Sequence, residues 1–429
     1  LFGGFVNILI FLPMKKLNFK LFQPTALNIL CSIVFVWSFS ISSYSQTLKS
    51  EPLETLYNHY QQLIDQGKLA GVETLVMHQD SVVWHKAQGF TSLDQKIALQ
   101  TNSVFFIQSM TKPIISVAVM QLVERGLISL DDPINKFIPE ADNMMVSLIP
   151  KNGTNGPQTQ AVTDISVRQL LTHTSGLSHG LGNNKLDKQL FKALYDETLN
   201  YRGHTALESR VEALLSFPLV AQPGTDWYYS AGADLLALLL QRVSNMSIPE
   251  YLDANIFKPL GMNDTGYNLN EEQSKRLMGL HSINPEGQLG LHKLQVPTSG
   301  NTVYGGTHGL FSTAHDYAQF CQMIIHKGHW NGNQILQPGT VETISKNHVG
   351  DLYNEKGAGF GLGFSVVLDP TKMARPGNKG QLQWGGYFST HFFIDPQAKL
   401  IALAMTQRMP ANHQSLGALL AEYVYQAFD

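Results

Sequence analysis

VFFIQSMTKPIISVAVMQLVERG, residues 104–126, joins a short β-prone run to a helix that is apolar on nearly every face: Ile114, Ile115, Val117, Val119, Met120, Leu122 and Val123 fill it, and Gly126 ends it. Such a helix belongs in the centre of a fold. At its head stand Ser109 and Lys112. Residues three apart share a helical face, so the Lys112 ammonium reaches the Ser109 hydroxyl. A lysine taken out of water gives up its proton more readily and then serves as base to a serine, while the free N–H groups of the first helical turn face a developing oxyanion. The Ser-x-x-Lys spacing is common by itself, and its ordinary reading is a capping serine beside a solvated lysine. The wholly apolar helix behind it favours chemistry.

Working outward, LETLYNHYQQLIDQGKL (53–69) has apolar residues at helical intervals and predicts a first helix. Val72 to Met77 and Ser81 to Ala87 are two β-rich runs around a polar break, which reads as a hairpin. From about Leu130 to Gly300 the chain turns helical and loop-rich, with helices expected over 166–172, 206–217, 234–244 and 248–257 and a polar excursion at 151–160. Beyond it a helix over 314–326 is opened by Thr313 with Asp316 three residues on, an arrangement resembling a capping box. Strand-like runs follow at 361–368, 387–394 and 400–406, then a last helix over 415–427. Both ends of the chain read as α/β and the middle as α. The simplest assembly is one α+β sheet-and-helix body carrying an inserted, mainly helical region at 130–300.

The segment from Val104 to Glu140 resembles the serine β-lactamase-related family that holds class C β-lactamases, D-alanyl-D-alanine carboxypeptidases and family VIII carboxylesterases. Further similar motifs follow in the family's order: ISVRQLLTHTSGL from Ile165, PGTDWYYSAGADLLALLLQRVS from Pro223, IFKPLGMNDT from Ile256, GGTHGLFSTAHDYAQFCQMI from Gly305 and QLQWGGYFSTHFFIDP from Gln381. The resemblance implies a β-lactamase/transpeptidase-like fold, an antiparallel sheet flanked by helices with the site between sheet and insertion. It also implies roles. Ser109 is the nucleophile, and Lys112 and Tyr229 handle its proton. The register of PGTDWYYS selects Tyr229 over Tyr228, and Ala231 stands where the family's Tyr-x-Asn has asparagine. Trp384-Gly385-Gly386 replaces Lys-Thr-Gly and looks like the Trp-Gly-Gly of the esterases, its glycines admitting the substrate close to the strand. The N–H groups of Ser109 and Tyr387 would form the oxyanion hole. His308, in place of a small residue, would edge the pocket, and His173 would hold a turn. Lys379 and Arg375 are the nearest cations that could replace the missing lysine.

The implied activity is hydrolysis of a small ester or amide through an acyl-enzyme on Ser109, most simply by a carboxylesterase. The alternatives are D-alanyl-D-alanine carboxypeptidase or β-lactamase chemistry, and a degenerate binding protein on the same fold. His179 and His292 have no ligand partners at useful spacing, so neither a metal nor a cofactor is expected.

Lys15, Lys16 and Lys20, the apolar run 26–41 and the small residues around Ser43-Tyr44-Ser45 predict a secretory signal over 1–45, cleaved near Gln46, with residues before Met14 an upstream extension. A periplasmic or secreted protein without a stable membrane span is expected. Removing the signal leaves 27 basic residues against 33 acidic ones, a net charge of −6, which argues against nucleic acid as a partner. Cys31 lies in the signal and Leu30 before it does not suit lipidation; only Cys321 remains, so the mature chain has no internal disulfide.

Overall fold

A computed structural model describes residues 48–195, 203–410 and 413–428; the expected signal segment lies outside the described residues. The centre of the fold is an antiparallel eight-stranded sheet in the order 358–360, 365–367, 382–385, 391–395, 400–405, 71–78, 81–92, 97–98. The first two strands form the expected hairpin. Gln79 and Asp80 both take positive φ, 48° and 68°, which matches the right-handed twist of the flanking strands. Strand Gly71–His78 then pairs along its other edge with Leu400–Met405, so the two ends of the sequence share adjacent strands.

Successive residues of these strands alternate between two cores. Val72, Val76, Leu400, Ala402 and Ala404 meet Leu53, Leu56, Tyr60, Leu420 and Val424 of the first and last helices, Ser50–Asp65 and His413–Phe428, which pack against each other on one face. Leu75, Met77, Ile401, Leu403 and Met405 point the other way, into the larger core shared with the helix Thr111–Glu124 and the helix Ala314–Ile325. Both faces are therefore dry, which is why the strands read as nearly continuous apolar runs.

Some expectations change in detail. The run 361–368 is not one strand: Gly361, Leu362 and Gly363 turn the chain between strands 358–360 and 365–367, because Gly363 takes φ 91°. Thr313 caps its helix by accepting from the Asp316 N–H at 3.1 Å, but the Asp316 carboxylate turns away to accept from the Asp264 N–H and Thr265 hydroxyl, so the box is only half formed. Within 130–300 the helices Val167–Leu171, Lys185–Tyr195, Leu207–Leu215, Ala233–Ser244 and Ile248–Leu252 are joined by two small hairpins, 145–147 with 158–160 and 281–283 with 289–291. Helix Lys185–Tyr195 was not foreseen. None of the helices among the described residues is long and apolar enough to cross a membrane.

Candidate active site

The chain is fixed on both sides of Ser109 before the serine is presented. Phe105 and Phe106 pair with Ser312 and Phe311, and the Ile107 N–H donates to the Leu310 carbonyl at 3.0 Å. Gln108 then takes φ +49°, a left-handed conformation that costs a non-glycine residue on the order of 1 kcal/mol. This reverses the chain into a single 3-10 turn, Gln108–Met110, that runs straight into the helix. The Tyr317 hydroxyl donates to the Met110 carbonyl and the Leu310 N–H donates to Thr111 Oγ1, clamping the turn from below. Ser109 is left partly exposed while its neighbours are buried.

Lys112, one turn on, is buried at 3% exposure. Its ammonium donates to the Thr307 carbonyl at 2.8 Å and lies 3.4 Å from Ser109 Oγ. Burial lowers its pKa to about 7; Asp234 pulls it up and Arg210 pushes it down by smaller amounts. Those two form a fully buried ion pair, Nε to Oδ2 at 2.7 Å, and the second Asp234 oxygen accepts from the Thr307 N–H at 2.8 Å. The carboxylate thus aligns the same peptide segment whose carbonyl receives Lys112.

Tyr229 donates to Ser109 Oγ at 2.8 Å. Its ring lies under the lysine, with Nζ 4.6 Å from the centroid, and burial drives its ionisation far above the ordinary phenol range. The segment bearing it is tied to residues 173–178: Tyr228 N–H donates to the His173 carbonyl, Ser230 N–H to His173 Nδ1 and Ala231 N–H to the Ser178 carbonyl. His173, with φ +59°, holds this crossing, and burial keeps its imidazole neutral by pushing its pKa well down. Tyr228 faces elsewhere, donating to Asp187 at 3.0 Å.

Trp384 is the penultimate residue of the strand Leu382–Gly385, and its ring lies 5.5 Å from that of Tyr229. The glycines after it are closely approached by protein. A Cβ on Gly386 would stand 2.6 Å from the Ile107 carbonyl and 2.2 Å from Thr390 Oγ1, and one on Gly385 would stand 2.8 Å from the Thr390 carbonyl. What lies close to the Trp-Gly-Gly turn is therefore the chain at Ile107, just before the 3-10 turn that bears Ser109, and the next strand. Gly386 thus sits against the carbonyl two residues before Ser109. The Tyr387 side chain is 44% exposed, and among the described residues nothing accepts its N–H.

His308 is buried, 4% exposed, edge-on to Phe106 and stacked on Tyr195. Sequence reading passed over the stack that continues from it. His179 lies face to face with Tyr229 at 5.1 Å, and its Nδ1 meets the Tyr195 hydroxyl at 2.6 Å. Tyr195 in turn lies 4.8 Å from the Arg210 guanidinium. One signal was available: Asp234 is the lone charge in GADLLALLL, and a carboxylate on so apolar a helix needs a buried partner. On the far side Trp227, Tyr353 and Phe360 complete an aromatic wall with Trp384. Arg375 is held by Glu355 at 2.9 Å, and the same carboxylate accepts from Tyr353 behind that wall.

A family model described as Beta-lactamase matches residues 56–425. Lovastatin esterase of Penicillium rubens is 27% identical over 380 residues, covering 81% of this chain and 91% of that protein. Esterase EstB of Burkholderia gladioli is 25% identical over 371 residues, with 81% and 88% covered. The solved structure titled EstCE1, a hydrolase with promiscuous acyltransferase activity, superposes with a TM-score of 0.74 at 23% identity, over 88% of this chain and 99% of that one. With the matched region running from the first helix to the last, the chain belongs to the Beta-lactamase family, as a serine hydrolase on the β-lactamase/transpeptidase-like fold.

Proposed function

We propose that the protein is an exported carboxylesterase that works through an acyl-enzyme on Ser109. The observation that carries the reading is the meeting of Tyr229 Oη, 2.8 Å, and Lys112 Nζ, 3.4 Å, on one serine oxygen. Burial acts oppositely on the two partners: it makes the lysine easy to deprotonate and the phenol hard to ionise. This supports neutral Lys112 as the base. Ser109 Oγ attacks the ester carbonyl and its proton passes to Lys112. The oxyanion is held by the N–H groups of Ser109 and Tyr387. As the tetrahedral intermediate collapses, the Tyr229 O–H proton goes to the departing alkoxide, and the Lys112 ammonium restores it to Tyr229. Water then attacks the acyl-enzyme along the same path, and Ser109 recovers its proton.

The wall beside the nucleophile favours a neutral substrate. Trp384 offers no cation where β-lactam-hydrolysing relatives of the family carry a lysine, Ala231 offers no amide, and Arg375 is already paired with Glu355. A charge-assisted hydrogen bond to a substrate carboxylate contributes about 1.5–3 kcal/mol, so its loss disfavours penicillins. The names of the esterase relatives support the same direction. The kcat/KM for p-nitrophenyl acetate or butyrate should exceed that for benzylpenicillin by at least about a hundredfold. Efficient penicillin hydrolysis with ester turnover equal or slower would move the protein to cell-wall and antibiotic chemistry. Export rests on the basic start and apolar run of residues 1–45. Mass spectrometry of the secreted or periplasmic protein should find an N-terminus close to Gln46, and full-length protein confined to the cytoplasm would refute it.

A further inference from the structure

We propose that Trp384 is a positioning residue for leaving-group protonation: its indole N–H donates to the Tyr229 oxygen when that oxygen has given up its proton. The inference rests on the acyl-enzyme reading above and adds a residue to it.

The indole nitrogen of Trp384 is buried and has no hydrogen-bond partner of good geometry in the resting site. A buried donor left unmatched is costly, and such groups in native proteins call for an explanation. One ring neighbour of Trp384 is Tyr229, with the centroids 5.5 Å apart and the planes tilted 53°. Burial holds the Tyr229 hydroxyl in its protonated form, and the neighbouring Trp384 acts in the opposite sense. In the resting state the Tyr229 proton points at Ser109, so the phenol is itself a donor. The phenol oxygen keeps lone pairs that can accept, but it becomes a much stronger, anionic acceptor for the tryptophan donor when the proton moves. The Tyr229 O–H bond then breaks, an O–H bond forms on the leaving alkoxide, and the phenolate accepts from Trp384 until the Lys112 ammonium returns a proton to it. A hydrogen bond made to a charge that exists only during the reaction accelerates it, whereas one equally good in the ground state does not. The fixed backbone supports this use. Trp384 pairs with Phe392 in the sheet, and Phe360 packs edge-on to its ring, so the indole is held before the charge develops.

The consequence depends on the leaving group. A p-nitrophenolate departs without protonation, but an ethoxide or butoxide needs the Tyr229 proton. Trp384→Phe and Trp384→Leu should therefore lower kcat/KM for ethyl butyrate about 10- to 100-fold more than for p-nitrophenyl butyrate, the range expected for losing one neutral donor to an anion. Trp227→Phe, which removes another buried indole N–H from the same aromatic wall, should lower both esters alike. Equal losses for the two esters in both Trp384 variants would overturn the assignment and leave Trp384 a packing residue. So would a leaving-group effect as large in Trp227→Phe. Fluorophosphonate labelling of Ser109, run in parallel, separates this failure from failure of the acyl-enzyme reading, because it is lost only in the second case.

Discussion

Ser109 and Lys112 could be found in the sequence because a helix fixes their relation locally, whatever the rest of the chain does. Tyr229 is 120 residues away from the serine it touches, and only its register within the family-like motif PGTDWYYS pointed to it over Tyr228. The structure separates the two tyrosines by their partners. Tyr229→Phe removes the hydroxyl on Ser109 and should lower kcat/KM by at least about a hundredfold, a loss in the usual range for a proton-transfer group. Tyr228→Phe removes only the bond to Asp187 and should cost much less; the reverse order would put the wrong tyrosine in the site. The lysine carries a pH signature. Its pKa is lowered to about 7, so the neutral, base-competent form increases as pH passes upward through that value. The ester kcat/KM should accordingly rise from pH 5 to 8 with a midpoint near 7. A flat profile across that interval would exclude Lys112 as the base.

Elements were legible where periodicity or capping is local and illegible where long-range contact decides. The central helix, the hairpin and the terminal helices follow from their apolar spacing. The half-formed cap at Thr313 does not, because Asp264 and Thr265 capture the Asp316 carboxylate from 52 and 51 residues away. The His179–Tyr195 contact is of the same kind, since it needs helix Lys185–Tyr195 to fold back over residues 178–180. The Trp-Gly-Gly motif was visible, but only packing shows that Gly386 seats the strand end against the carbonyl before Gln108. Gly386→Ala should therefore push the strand from the nucleophile turn and lower kcat/KM at least about tenfold, since misplacements near 1 Å can cost a hundredfold. Circular dichroism should show the secondary structure retained; full activity in that variant would contradict the seating role. Between helices Leu207–Leu215 and Ala233–Ser244, breaking the Arg210–Asp234 pair with Arg210→Met leaves a buried carboxylate alone, which costs about 3–5 kcal/mol of stability. It also removes a cation that holds Lys112 down while Asp234 still pulls it up, so the activity midpoint should move to higher pH. A midpoint that moves down or stays fixed would show that this pair does not tune the base.

The whole molecule places its site where the antiparallel sheet meets the inserted helices. Strand Leu382–Gly385 gives Trp384 from one side, and the crossing of residues 173–178 with 228–231 gives Tyr229 from the other. The nucleophile helix runs into the core between them, so that burial, which stabilises the fold, also tunes the lysine. That coupling was beyond sequence reading, because desolvation depends on every element packed around Lys112. The chemistry converges on one atom, Ser109 Oγ, and the most direct test of the account is to trap it. The protein should react with a fluorophosphonate to give a single adduct by intact-mass spectrometry, peptide mapping should place it on Ser109, and the Ser109→Ala protein should gain no mass and lose at least about a thousandfold in ester turnover. An adduct that persists in Ser109→Ala, or that maps to another residue of the wild-type chain, would contradict the account.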